Sequence, residues 1–135
     1  MPLVRIHLPA DTSPEETAAV SDAVHQAMVQ HINVPLADRF QTIHRHAPGD
    51  LVCSSEFLGI AHGAKVVMVQ ITLAFGRPTK LKQALYGAIA SGIAGRSGFA
   101  ADDVIINLVE VPRENWSFGR GVAQYAVADA QAVLA

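Results

Sequence analysis

The chain opens on a strict alternation. Across residues 3–9, Val4, Ile6 and Leu8 fall on one side and Arg5 and His7 on the other. That period of two predicts a half-buried strand. Ser13-Pro14-Glu15-Glu16 then reads as a helix start. Ser13 suits the cap, Pro14 the first helical position, and Glu16 completes a capping box. Val20, Val24, Ala27, Met28 and His31 recur at helical spacing, and Asn33-Val34-Pro35 predicts the stop. Asp38 to His46 reads as a second strand. Strand, helix and strand in this order predict a βαβ unit with parallel strands.

The same pattern returns 65 residues later without a gap: Val4, Ile6 and Leu8 map onto Val69, Ile71 and Leu73. Ala19, Ala23 and Ala27 map onto Ala84, Ala88 and Gly92, and Asp38 and Phe40 onto Asp103 and Ile105. A second helix is predicted from Pro78, with Leu81, Leu85, Ala88, Ile89 and Gly92 on one face, and a last main strand over Asp102 to Val111. The expected fold is α+β: two pseudo-symmetric βαβ units forming one four-stranded mixed sheet with two helices on one face. A single domain over residues 1–135 is expected, with halves at about 2–46 and 65–111. The segments 66–74 and 104–111 are apolar on both faces, so the uncovered side of the sheet calls for a symmetric oligomer. The connection 47–64 has room for a short edge strand. Residues 112–121 are turn-rich, and 122–134 read as a final helix.

Composition narrows the function classes. Of the 135 residues, half are hydrophobic and 16% are charged, which excludes disorder. A net charge of -2 offers no basic field for nucleic acid. The single Cys53 excludes an intramolecular disulfide and a cysteine-based zinc site. No apolar run reaches the roughly 18 residues of a membrane span. The opening Met1-Pro2-Leu3-Val4-Arg5 lacks the build of a signal peptide. A soluble, cytoplasmic protein is expected.

Topology then points to chemistry. If the first strands of the two halves lie side by side and antiparallel, Pro2, Asp38, Arg77 and the Pro112–Gly121 segment meet at one rim. Removal of Met1 would leave Pro2 as a secondary amine. A free α-amino group titrates at about 7.7–8.0, and burial or a nearby cation such as Arg77 depresses it. Such a group can move a proton near neutral pH. Pro2 also suits the start of a strand for purely structural reasons, having no N–H to lose.

From end to end the chain resembles the tautomerase superfamily, and within it malonate semialdehyde decarboxylase and its relatives. The resemblance rests on Pro2, on Asp38-Arg39-Phe40-Gln41 with His44 and His46, and on Gly76-Arg77 ahead of the second helix. It also rests on Asp102-Asp103-Val104-Ile105 and on Trp116-Ser117-Phe118-Gly119-Arg120-Gly121. It implies Pro2 as the catalytic proline, Arg77 as the binder of a substrate carboxylate, and Asp38 as the residue that orients water or sets the amine's protonation. It implies Trp116, Phe118 and Tyr125 as pocket walls, a homotrimer, a small carboxylate substrate, no cofactor, and neither nucleic acid nor membrane as partner. The decarboxylase carries two arginines separated by one residue at the end of its third strand. Here the segment reads Leu73-Ala74-Phe75-Gly76-Arg77-Pro78, with a one-residue insertion and one arginine.

A proton shuttle by Pro2 with one arginine on the carboxylate asks for less than decarboxylation does. The leading expectation is therefore a cofactor-independent keto–enol tautomerase of small 2-oxo or enol acids. Malonate semialdehyde decarboxylation, or hydration of a related acid, comes second, and a non-catalytic trimeric binding protein third. Arg39 is a further substrate-binding candidate, with pairing to Asp38 as the alternative. Arg120 could reach a neighbouring subunit or shape a turn. His44 and His46 share a strand face at a spacing a metal can use, but no third ligand is evident, so no metal is assigned. His25, near the apolar stripe of the first helix, reads first as helix-surface packing, with a site role as the alternative because some dehalogenase-like relatives place a histidine thereabouts. Cys53 reads as a small buried hydrophobe.

Overall fold

The computed structural model describes residues 2–126. In chain order it contains β1 (Leu3–Pro9), α1 (Pro14–Ile32), β2 (Gln41–His46), β3 (Glu56–Phe57), β4 (Ile60–Ala61), β5 (Val67–Ala74), α2 (Thr79–Arg96) and β6 (Val104–Val111). The main sheet runs β2-β1-β5-β6. β1 pairs antiparallel with β5, while β1 with β2 and β5 with β6 are parallel. This is the doubled βαβ arrangement that the hydrophobic pattern predicts.

The 65-residue repeat is written into the strand register. Arg5 faces Gln70 across the central pair, so residues one repeat apart meet on a local twofold axis. Val4 faces Gln41, and Val67 faces Val104, the same offset of 37 in each half.

Local chemistry sets most boundaries. Ser13 Oγ accepts the Glu16 N–H at 3.0 Å and Pro14 opens α1. The Glu16 carboxylate turns to Lys65 at 3.3 Å, so the reciprocal half of the capping box is given over to an ion pair. Asn33 ends α1 in the left-handed conformation with φ 56°. β2 begins at Gln41, not at Asp38. The Asp38 N–H bonds to the Pro35 carbonyl at 2.9 Å and the Arg39 N–H to that of Ala37 at 3.1 Å, which holds the segment in a turn. α2 starts at Thr79 with Pro78 as its cap, and Leu81 on its first turn stays exposed. The connection 47–64 holds no edge strand of the main sheet. β3 and β4 form a hairpin of their own, closed by Leu58 and Gly59, both with positive φ. Of the helix expected over 122–134, residues 124–126 are helical and the rest lies outside the described residues.

The core lies between the sheet and the helices. Val4, Ile6 and Leu8 of β1 and Val67, Val69, Ile71 and Leu73 of β5 are buried. Above them sit Val20, Val24 and Met28 of α1 and Leu85, Ile89 and Ile93 of α2. The helices approach closely because Gly92 abuts Ala23: a Cβ at Gly92 would lie 3.2 Å from the Ala23 Cβ. Gly92→Leu is expected to lower stability by about 1–3 kcal/mol through overpacking, read by urea denaturation.

Alternation sends the other side chains of the strands to the open face. It carries Arg5 and His7 from β1, His44 and His46 from β2, Met68 and Gln70 from β5, and Ile105 and Asn107 from β6. The parallel register brings His7 between the two β2 histidines. His7 Nδ1 and His46 Nε2 share a hydrogen bond of 2.9 Å, and the His7 ring stacks on His44 with centroids 4.6 Å apart. His44 Nε2 also bonds Thr42 Oγ1 at 2.8 Å. Among the described residues no group of three or more His, Cys, Asp or Glu is arranged to hold a metal ion. Desolvation, followed by His44, His46 and Arg5, holds the His7 pKa below its ordinary value. The folded state therefore resists the proton that the unfolded chain accepts. Stability is complete above the ordinary histidine range and is lost as pH falls through it toward the lowered value. Thermal unfolding followed from about pH 7 to about pH 5 is expected to fall less steeply in His7→Gln than in the wild type.

Candidate active site

Pro2 is buried immediately ahead of β1. Two contacts fix its neighbours. The Val4 N–H donates to the Phe40 carbonyl at 3.0 Å, which brings the 38–40 segment alongside. Leu3 pairs with Thr72, which puts Pro2 at the Leu73–Ala74 end of β5. Arg77, half-buried, donates from Nη1 to the Ala74 carbonyl at 3.0 Å, so its guanidinium folds back over that strand end. The Phe75 N–H bonds the Val111 carbonyl at 3.4 Å, which ties the same corner to the end of β6. The rim expected from topology therefore gathers Pro2, Asp38 and Arg77.

The segment after β6 closes this rim with rings. Phe118 stacks on Trp116 at 5.3 Å and meets Tyr125 edge-on at 5.3 Å. Phe40 lies tilted against Phe118 at 6.0 Å, which joins the 38–40 segment to the aromatic loop. Gln124 braces the loop: its Oε1 accepts the Phe118 N–H at 3.0 Å and its Nε2 donates to the Gly119 carbonyl at 3.3 Å. The Trp116 indole N–H is buried and has no partner among the described residues. Arg120 sits exposed in the turn with φ 59°, between Gly119 and Gly121. Phe40 and Gln124 join the site without having been singled out from the sequence. Phe40 had a signal, since it lies inside the Asp38-Arg39-Phe40-Gln41 motif.

Arg39 points elsewhere. Its Nη2 donates to Asp22 Oδ1 at 2.6 Å and to Ser21 Oγ at 2.7 Å, both on α1. The ion pair of Arg39 is thus with Asp22 rather than Asp38. His25 is 1% exposed, and its Nε2–H donates to the Leu36 carbonyl at 2.8 Å, just ahead of Asp38. Cys53 is only half-buried, and its thiol reaches the Ser54 carbonyl at 3.5 Å. Asp103 works in the connection between the halves, where its Oδ1 accepts the Gly63 N–H at 2.7 Å.

Glu110 brings a charge to the Arg77 corner. Lys82 Nζ donates to its Oε1 at 2.6 Å. That hydrogen bond, then the Lys82 charge, the Gly76 N–H and the Arg77 charge, hold the Glu110 pKa below its ordinary value. A depressed carboxylate favours the folded state above its ordinary pKa, and this is lost as pH falls through the folded value. In Lys82→Met the Glu110 carboxyl is expected to titrate at higher pH than in the wild type, read by carbon-13 NMR.

Two βαβ units in twofold register, joined at their first strands, define a small α+β class. A family model described as tautomerase enzyme matches residues 38–119, and a second of the same description matches residues 2–59. The "Probable tautomerase YusQ" of Bacillus subtilis is 36% identical over 124 residues, covering 92% of this chain and 98% of that protein. The crystal structure of FG41 malonate semialdehyde decarboxylase inhibited by 3-bromopropiolate is 37% identical with a TM-score of 0.88. It covers 94% of this chain and 96% of that one. A fused 4-OT wild-type symmetric trimer is 27% identical with a TM-score of 0.75, covering 92% and 98%. The chain belongs to the tautomerase family. No helix among the described residues is long and apolar enough to cross a membrane.

Proposed function

We propose that the protein is a cofactor-independent keto–enol tautomerase of small 2-oxo or enol carboxylic acids. The observation that carries this reading is the meeting, at one rim, of the Pro2 end of β1, the 38–40 segment, the Arg77 guanidinium and the Trp116–Phe118–Tyr125 rings. With Met1 removed, the Pro2 nitrogen takes a proton from the carbon next to the carbonyl. The C–H bond breaks, an N–H bond forms, and the electron pair moves onto the carbonyl oxygen to give an enolate. The Pro2 N–H then breaks as it delivers that proton to the oxygen, forming the O–H bond of the enol and freeing the amine. Ketonisation runs these steps in reverse.

Arg77 holds the carboxylate through its planar fork, one donor of which is already spent on Ala74. The Asp38 carboxylate tunes the amine. The unpartnered Trp116 N–H offers a donor to a substrate oxygen, and Phe118 and Tyr125 exclude water, which strengthens the field of Arg77. In the same reading the chain assembles as a homotrimer that covers the open face.

Decay of the enol form of phenylpyruvate, followed by ultraviolet absorbance on protein shown by mass to lack Met1, tests this. Pro2→Ala is expected to slow ketonisation by on the order of 100-fold or more. Arg77→Ala is expected to raise KM by roughly 10- to 100-fold, the loss of a charged hydrogen-bonded pair. Unchanged turnover in Pro2→Ala removes the reading.

The likeness to a malonate semialdehyde decarboxylase favours a second reading. There, Pro2 acts as a cationic acid and Asp38 positions water. Phe75 and Gly76 stand between the strand end and Arg77, so a single arginine would have both to orient the carboxylate and to polarise the carbonyl. Carbon dioxide release from malonate semialdehyde that depends on both Pro2 and Arg77 would select this reading.

A further inference from the structure

We propose that a polar row on α1, formed by Ser21, Asp22 and His25, is a clamp that sets the position of Asp38 beside Pro2. The inference rests on the tautomerase reading of the same rim. The three side chains take hold of residues 36–41 at successive points. His25 Nε2–H holds the Leu36 carbonyl at 2.8 Å, and Asp22 and Ser21 hold Arg39 at 2.6 and 2.7 Å. Ser21 Oγ–H donates to Gln41 Oε1, and Gln41 Nε2 donates back to the Ser21 carbonyl at 3.1 Å. Arg39, Ser21 and Gln41 thus form one chain of donors and acceptors with every step satisfied.

Asp38 lies between these holds, in a turn closed by its own N–H on the Pro35 carbonyl. On its far side the segment is pinned to β1 through the Phe40 carbonyl and the Val4 N–H, two residues beyond Pro2. The clamp therefore fixes the distance from α1 to the start of β1, with Asp38 in between.

Among the described residues His25 makes one ring hydrogen bond, to the Leu36 carbonyl. It is buried among the apolar residues of α1, and its Nδ1 has no partner among the described residues. A leucine would fill the volume without leaving a buried ring nitrogen unpaired, which costs free energy. It could not hold the Leu36 carbonyl. His25 and Asp22 are positioning residues, and the role of Arg39 is to be grasped by α1 rather than to bind substrate.

Phenylpyruvate enol is the probe, with kcat, KM and the pH profile of kcat/KM measured for wild type, Asp38→Asn, His25→Leu and the double variant. Small misplacements of a reacting or tuning group cost on the order of 10- to 100-fold in rate. His25→Leu is expected to lower kcat by that amount with KM within about twofold. It is expected to shift the acidic limb of the profile in the same direction as Asp38→Asn, and the double variant to be no slower than Asp38→Asn alone. His25→Gln, whose Nε2 can replace the ring donor, is expected to restore most of the rate. Wild-type kcat and profile in folded His25→Leu, or additive losses in the double variant, overturn the clamp. Should His25→Leu fail to fold, Asp22→Ala, which removes the acceptor of the Arg39 guanidinium at the exposed ion pair, carries the same test. Equal rates for wild type and Pro2→Ala would remove the tautomerase reading. The clamp would then stand or fall on the pKa of the Pro2 amine, read by carbon-13 NMR. Asp38→Asn and His25→Leu must both lower it, and no shift in His25→Leu overturns the proposal.

Discussion

The antiparallel pairing of β1 with β5 is the constraint from which the rest of the molecule follows. Both strands sit in the middle of the sheet, flanked on each side by a partner. Their inward residues, among them Val4, Ile6, Val69 and Ile71, are almost wholly buried. A slip of one residue would turn that entire set toward the open face. It would also move Arg5 and Gln70 off the local axis, and the two helices, packed at Ala23 and Gly92, could no longer meet over the same strands. Register and helix packing therefore enforce each other.

That pairing also decides where chemistry can be built. The helix face is filled by side chains from both layers, and the open face is a surface of alternate residues. The rim is different, because there Pro2 ahead of β1, a turn ahead of β2, the end of β5 and the end of β6 arrive together. Strand ends leave backbone groups that need partners. Here the partners are side chains and loops: Arg77 on the Ala74 carbonyl, the Phe75 N–H on Val111, and the Val4 N–H on Phe40. The hydrogen bonds that finish the sheet also fold Arg77 over the end of β5 and tie that corner to the end of β6, from which the aromatic loop departs.

What the sequence discloses and what it hides divide along contact range. The alternation in residues 3–9, the Ser13-Pro14 helix start, the Asn33 stop and the 65-residue repeat are local or periodic signals, and the fold they predict is the one observed. The extension of β2 back to Asp38 failed because two short turn hydrogen bonds near Pro35 outweigh the apparent strand pattern. Longer-range pairings were not legible. Glu16 gives up its place in the capping box to a lysine 49 positions away, and Arg39 finds Asp22 on the preceding helix 17 positions back. His7 joins His44 and His46 only because β1 and β2 pair at an offset of 37, which no single stretch of sequence displays. The candidate site was legible only as residue types in an order that resembles a family. That Arg77 turns to the Ala74 carbonyl and Arg39 to α1 is set by contacts that no stretch of sequence displays.

The two rows of α1 bear on the fold in unequal ways. Its apolar row, Val20, Val24 and Met28, is sealed in the core, so truncation there leaves a cavity and acts on the whole fold. Its polar row, Ser21, Asp22 and His25, hydrogen-bonds Leu36 and Arg39 ahead of β2 and Gln41 at its start. Arg39 and Asp22 are largely exposed, and exposed ion pairs add little to global stability. What such contacts can do is choose one arrangement of a turn among several of similar energy. A helix that reads as one amphipathic element is in this sense two devices: one face holds the sheet together, and its border holds the 36–41 turn against the rim.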